Sequence, residues 1–373
     1  MDKHLRTLFL FVLAAALWRC SEPTVPETPP PKLEPSADST SHAYTWEFFV
    51  LGKFGSTLVA VAAESDTSVW AVGDVELGYE IPGLSSGRMN RRANAFHITP
   101  SEIKPYAIDL DLNGFLSAVA LDGVTVEDGN VTFWGPIAST KLRGDSATLR
   151  FHRELNGLYI GTGKIKSGTD GHVYMFGGRG NLLRFIGPKH ERFEPIPTGT
   201  AKTIKSFAQA GPNEFYIGGW DYDSTGGIFH HLRDGMITPI YRETGRAHPI
   251  TYATAIWASE ERLHAVCPDF IYMQSLVNPA VWDTLHIPPP TPDRIVGLPI
   301  CANGRADNDV FYAGHYATVL HYNGRNLYFY EEISRRFPNG LVIYDIAVSR
   351  NGVFLVGNSN STAIFIRGTK AAQ

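Results

Sequence analysis

A chain of 373 residues that is 43% hydrophobic has enough apolar side chain for one large core or two ordinary ones. Its 12% aromatic content and 36 glycines favour short strands joined by tight turns. A formal net charge of −4 excludes a broad basic surface, so no nucleic-acid partner is expected.

Residues 1–20, MDKHLRTLFLFVLAAALWRC, place Lys3 and Arg6 ahead of an apolar stretch from Leu8 to Leu17. That stretch is too short to span a bilayer and has the order of an export signal. Cys20, which follows it, resembles the lipid-accepting cysteine of bacterial lipoproteins, although Trp18 and Arg19 stand where small residues are preferred. Ala14, Ala15 and Ala16 offer an ordinary cleavage site instead, and with it plain secretion. Residues 21–44 begin SEPTVPETPPPKLEPSADSTSH, a Pro-rich and apolar-poor segment that cannot build a core and reads as an extended tether. A tether suits a chain fixed at its start. The expectation is therefore lipid on Cys20 as the only membrane contact, at the bacterial outer membrane or cell surface, with a secreted or periplasmic protein as the alternative.

From residue 45 to the end, short β-rich runs alternate with Gly, Asn, Asp and Pro, and no helical periodicity is sustained. One run recurs seven times: VWAVGD from Val69, VTFWGP from Val131, VYMFGG from Val173, EFYIGG from Glu214, LHAVCP from Leu263, VFYAGH from Val310 and VFLVGN from Val353. Glycine closes it at 73, 135, 177, 218, 314 and 357, with Cys267 in its place once. Most of these marks lie 41–49 residues apart, the spacing of propeller blades. The interval after Gly73 is longer and holds an insertion over residues 74–92.

Around each mark four runs follow in order. STLVAVAA, FLSAVAL, TYATAIWA and VIYDIAVS read as first strands, and the marked run as the second. NAFHIT, TLRFHR, NLLRFI, GIFHHL, TVLHYN and TAIFIR read as third strands, and HERFEPI and NLYFYEE as fourth strands. The last copy lacks a fourth strand, whereas TWEFFVLG at the start of the folded region has no copy of its own. The fold expected is all-β: a seven-bladed β-propeller of four-stranded antiparallel blades over residues 45–373, its last blade completed by residues 45–52. Count and closure resemble secreted seven-bladed propellers of the broad WD40-like, BNR-like and kelch-like superfamily. They are most similar to bacterial lipoproteins whose repeats read VWAVG followed by a G-x-I-x-H strand.

His97, His152, His230 and His321 all fall on presumed third strands, which spreads them around the ring and gives them a repeated structural task. His230 and His231, adjacent on a strand, point to opposite faces and cannot share a metal. Cys267 ends a second strand and Cys301 is read as ending a first strand, so the two are expected at opposite faces of the ring as free, buried thiols. Asp109, Asp111 and Asn113 match the opening of a calcium loop, but Ser117 and Ala120 stand where further carboxylates are needed, so an Asx-turn is preferred and no metal or cofactor is expected.

In propellers the loops joining strands two and three share one face, together with those leading into strand one. That architecture nominates Arg88, Arg91, Arg92, Arg179, Trp220, Asp221, Tyr222, Asp223, His315 and Tyr316 as ligand-binding residues. The Asp-box of sialidases, S-x-D-x-G-x-T-W, is absent, and no catalytic residue is assigned. The reading is a monomeric, non-enzymatic module that binds a protein or glycan at the cell envelope. A carbohydrate-active enzyme with a carboxylate pair on the loop face is the alternative.

Overall fold

The computed structural model describes residues 40–80, 91–108, 121–127, 129–135, 138–143, 146–151, 164–186, 192–220, 227–240, 252–291, 295–338 and 340–371. The apolar runs form strands whose alternate side chains point to opposite faces of a sheet. A first strand, β1 (Tyr44–Leu51), is followed by the first complete sheet, β2 (Thr57–Ala63), β3 (Val69–Glu76), β4 (Arg92–Ile98) and β5 (Ile103–Tyr106). The second sheet is β6 (Gly123–Glu127), β7 (Asn130–Trp134), β8 (Ala138–Arg143) and β9 (Ser146–Phe151). The third is β10 (Lys164–Ser167), β11 (Val173–Phe176), β12 (Leu182–Ile186) and β13 (Arg192–Pro195). The fourth is β14 (Ile204–Gly211), β15 (Glu214–Trp220), β16 (Gly227–Arg233) and β17 (Met236–Pro239). The fifth is β18 (Ala255–Ala258), β19 (Arg262–Val266), β20 (Phe270–Ser275) and β21 (Trp282–His286). The sixth is β22 (Pro299–Ala306), β23 (Asp309–Gly314), β24 (Val319–Tyr322) and β25 (Leu327–Phe329), with a short helix α1 (Glu331–Arg336) after it. The last strands, β26 (Val342–Val348), β27 (Gly352–Ser359) and β28 (Thr362–Lys370), take β1 as their fourth partner in the order β1-β28-β27-β26.

The β1–β28 ladder runs unbroken from Tyr44↔Lys370 to Leu51↔Ala363, so the two ends of the folded chain meet in one sheet. First strands of successive sheets touch around an axis, the third sheet meeting the fourth through β11 and β14, and contact between β2 and β26 completes the circle. Among the described residues, seven apolar cores lie between neighbouring sheets. Alternation along β27 divides it between two of them: Val353 and Leu355 face the sixth sheet, while Phe354 and Val356 face the first. The fold is a β-propeller.

The glycine that closes the marked run has a steric origin. A Cβ on Gly73, Gly314 or Gly357 would collide with the carbonyl oxygen of Thr57, Leu298 or Val342, each in or next to the first strand of the same sheet. In the fourth sheet the corresponding position is Gly219, against Thr203, rather than Gly218.

The structure corrects several details of the repeat register. The first strand of the second sheet is Gly123–Glu127, not FLSAVAL, which lies mostly outside the described residues. TLRFHR belongs to the fourth strand of that sheet, since β8 supplies the third, and His152 lies outside the described residues. Both ends of the 74–92 insertion are strand, as β3 extends to Glu76 and β4 starts at Arg92. Ordered chain begins before residue 45: Thr40 N–H donates to Asn323 O at 3.2 Å, and Asn323 Nδ2 returns a bond to Thr40 O at 3.1 Å.

Cys267 and Cys301 are free and buried, as expected. Their expected placement at opposite faces is corrected. Cys301 is the third residue of β22, opposite Ala313 near the end of β23, so both thiols lie toward the ends where strands two and three turn. They stay apart because Cys267 packs in the core between the fourth and fifth sheets, and Cys301 in the core between the sixth and seventh.

The close approach at the glycine marks gives a direct test. Gly357→Ala should lose ~1–3 kcal/mol through overpacking against backbone that cannot swing aside. A lowered urea midpoint with unchanged slope is the expected result, while an unchanged midpoint would mean that β26 is free to move.

Candidate functional site

Two of the turns between strands two and three have the same backbone. Gly178–Gly180 and His315–Ala317 each form a single 3-10 turn whose central residue is left-handed, Arg179 at φ 55° and Tyr316 at φ 55°. Asn181 N–H donates to Gly178 O at 3.2 Å, and Thr318 N–H to His315 O at 3.1 Å. Non-glycine residues adopt this conformation only where the surroundings enforce it. The turn after β23 is held by Ala317 N–H bonding to Leu341 O at 2.7 Å, and by His315 packed where Gly297 has no side chain. Both turns lift a large side chain outward, and Tyr316 is 55% exposed. Burial pushes the His315 imidazole below its usual pKa, so it stands beside Tyr316 as a neutral ring near pH 7.

Other nominated residues are placed differently. Arg92 is a strand residue whose guanidinium donates to Asp74 at 2.6 Å, Glu76 at 3.3 Å and Gly55 O at 3.2 Å. These bonds brace it within the first sheet. Arg91 is exposed and reaches Glu80 at 3.7 Å. Trp220 ends β15, whereas Arg88, Asp221, Tyr222, Asp223 and the Asp109–Asn113 loop lie outside the described residues, as does Cys20. Among the described residues no group of three His, Cys, Asp or Glu side chains is arranged to hold a metal ion.

The third-strand histidines share one arrangement. His97 stacks on Trp70 at 4.4 Å, His231 on Tyr216 at 4.5 Å and His321 on Phe311 at 4.2 Å, each across the ladder from its partner. The equivalent residue in the fourth sheet is thus His231, which corrects the choice of His230. Glu214 bonds His231 Nε2 at 2.7 Å, and Asp309 bonds His321 Nε2 at 3.0 Å. In the first sheet Ser68 Oγ bonds His97 Nε2 at 2.8 Å and donates to Glu64 at 2.8 Å. The carboxylate therefore engages the serine rather than the far side of the imidazole, so it does not orient His97 as a base for that hydroxyl. Burial lowers the pKa of both His97 and His321.

The axis of the ring holds a site that the sequence reading missed. Four first strands carry a register shift near their start, at Val59, Lys205, Ile300 and Tyr344, and each of these residues lines a central cavity of about 320 Å³. A bulge re-aims the side chain of the extra residue, here toward the axis. The residue after two of these bulges ties its sheet to the next: Ser206 Oγ accepts Ile256 N–H at 2.7 Å, and Asp345 Oδ2 accepts Val61 N–H at 3.0 Å. Lys164 and Lys166 extend from β10 into the same cavity, with Lys164 Nζ 3.5 Å from Tyr344 O on the seventh sheet. Burial pushes Lys166 down to about 8, and it raises Asp345 and the Cys301 thiol across from it. Asp122, also in the lining, is pushed up to about 6 by burial.

No family model matches the chain, and no curated protein matches it. Among solved structures it is similar to YCF48 bound to D1 peptide, with a TM-score of 0.61 and 15% identity over 90% of this chain and 100% of that one. It is similar to a catalytically inactive virginiamycin B lyase from Staphylococcus aureus with quinupristin, with a TM-score of 0.57 and 12% identity over 87% of this chain and 99% of that one. The extracellular domain of a hybrid two component system from B. thetaiotaomicron gives a TM-score of 0.55 at 10% identity, over 85% of this chain and 40% of that one. The likeness is one of fold. At these identities it assigns no activity to the residues described above.

The half-buried amine on the axis makes stability depend on pH in a stated direction. Lys166 has a lower pKa folded than unfolded, so the native state binds fewer protons and stability rises with pH from about 8 toward the unfolded value. Lys166→Met should flatten that rise and gain ~2 kcal/mol at pH 7. Urea unfolding of both proteins at several pH values checks this, and parallel pH profiles would contradict it.

Proposed function

We propose that this chain is an exported seven-bladed β-propeller, monomeric and held at the bacterial envelope by lipid on Cys20, that binds a protein or glycan through the loop face bearing Arg179 and Tyr316. The observation that carries this reading is the duplicated turn: two sheets use the same left-handed geometry to present a cation and an aromatic ring outward. Arg and Tyr are favoured anchors in protein interfaces, and an exposed aromatic ring also suits a sugar face. A rigid turn supports binding because little conformational entropy is lost when a partner docks. Two neighbours in fold point the same way, one of them bound to a peptide and the other an extracellular domain. No helix among the described residues is long and apolar enough to cross a membrane.

Arg179→Ala combined with Tyr316→Ala removes both presented groups from exposed positions and should leave stability within about 0.5 kcal/mol. Cross-linking in the native host, followed by mass spectrometry, should recover an envelope component with the unaltered protein at least tenfold more efficiently than with the double variant. Equal recovery would move the binding surface elsewhere. Mass spectrometry of the mature N-terminus should find a diacylglyceryl group on Cys20, and a free N-terminus near Leu17 would leave a secreted protein.

A further inference from the structure

We propose that the axial cavity is a binding site for a small carboxylate, of the kind that carries two or more acid groups on a short skeleton. Three lysines stand in the lining. Lys164 and Lys166 stand two strand residues apart on one face of β10, roughly 7 Å, and Lys205 joins them from the bulge of β14. The ionisable groups that face them are Asp345, Asp122 and the Cys301 thiol. Three ammonium groups outnumber the two carboxylates, so the lining is net positive even with both carboxylates ionised.

A second observation comes from a smaller cavity of about 190 Å³, which shares Lys166, Ser167, Phe207 and Asn303 with the first and adds Gln209 and Trp257. Gln209 is 3% exposed, and its Oε1 accepts from Thr169 Oγ1 and from Asp170 N–H, both at 3.3 Å. Its Nε2 has no partner. A buried amide donor left open costs ~1–3 kcal/mol, and native proteins retain few such groups without a use. Ammonium groups and an open amide N–H can donate but not accept. A carboxylate only accepts, so it is the complement of this lining. The larger cavity, at about 320 Å³, falls at the lower end of the ~300–1,000 Å³ typical of small-molecule sites, which favours a compact anion over a chain segment.

The site lies within the ring and does not involve Arg179 or Tyr316, so it stands apart from the loop-face reading. Isothermal titration with citrate tests it, with succinate and inorganic phosphate as further probes and sodium chloride at matched ionic strength as the control. Citrate should bind the full chain, Lys166→Met should weaken it at least tenfold, and Gln209→Leu should weaken it by a smaller factor. Arg179→Ala with Tyr316→Ala should leave citrate binding unchanged. Lys166→Gln, which keeps a donor and removes the charge, should behave like Lys166→Met. Tighter binding of phosphate than of both carboxylates would overturn the choice of ligand class. Equal citrate affinity in the Lys166 variants, an effect reproduced by sodium chloride, or no binding at all would overturn the site.

Discussion

Every sheet in this protein is apolar on both faces, and that single constraint governs the architecture. A lone four-stranded sheet of this kind would leave two hydrophobic surfaces in water, so each must be covered by a neighbour. Sheets stacked in an open row would still expose the outermost faces and edges. Closing the row into a ring removes both problems, and the core between the seventh and first sheets is as apolar as the others, with Leu58, Val69, Phe354 and Phe365 fully buried. Closure depends on β1, which arrives from the opposite end of the chain to finish the last sheet. Further bonds reinforce the seam: Asp66 accepts from Ser349 at 2.6 Å and from Asn351 Nδ2 at 2.8 Å, and Asn358 Nδ2 donates to Ser56 O at 2.6 Å.

The same ring creates the axis. First strands meet at a narrow centre, where bulges turn one side chain inward. Structure and candidate chemistry adjoin there: next to Lys205, Ser206 joins the fourth sheet to the fifth, and next to Tyr344, Asp345 joins the seventh to the first while also lining the cavity. Cys301 occupies the linking position in the sixth sheet, with its Sγ 3.8 Å from Ile343 O and 3.2 Å from Ala313 O. Its burial in that role explains a free cysteine without invoking reactivity, because the thiol is held neutral. The stacked pairs of His97 with Trp70, His231 with Tyr216 and His321 with Phe311 play a comparable part farther out, fixing the pairing of strands two and three.

Much of this was legible in the sequence because the repeat marks a steric necessity. The closing glycine recurs where strand one presses on strand two, and the orphan run TWEFFVLG announced the shared last sheet. The second sheet was harder to read. Its first strand, GVTVE, is short and begins with glycine, whereas the preceding FLSAVAL is more apolar and competed for the assignment. His230 and His231 could not be ranked without the register that sets Tyr216 opposite His231. Arg92 resembled a loop residue until β3 was seen to continue through Asp74 and Glu76, its partners. The axial lysines were missed because K-I-K-S reads as an ordinary half-exposed strand. The available signal was that the first and fifth sheets place Ala60 and Ala255 opposite the residue before the closing mark, where the third places Lys164 and the seventh Asp345.

Hydrogen exchange of the full chain, followed by mass spectrometry, tests the closed ring most directly. Amides of residues 44–51 and 362–370 should be protected as strongly as those of β22 and β23, since all would then open only with the whole ring. Rapid exchange in 44–51 beside slow exchange elsewhere would mean that β1 is an appendage and that the last sheet does not depend on it.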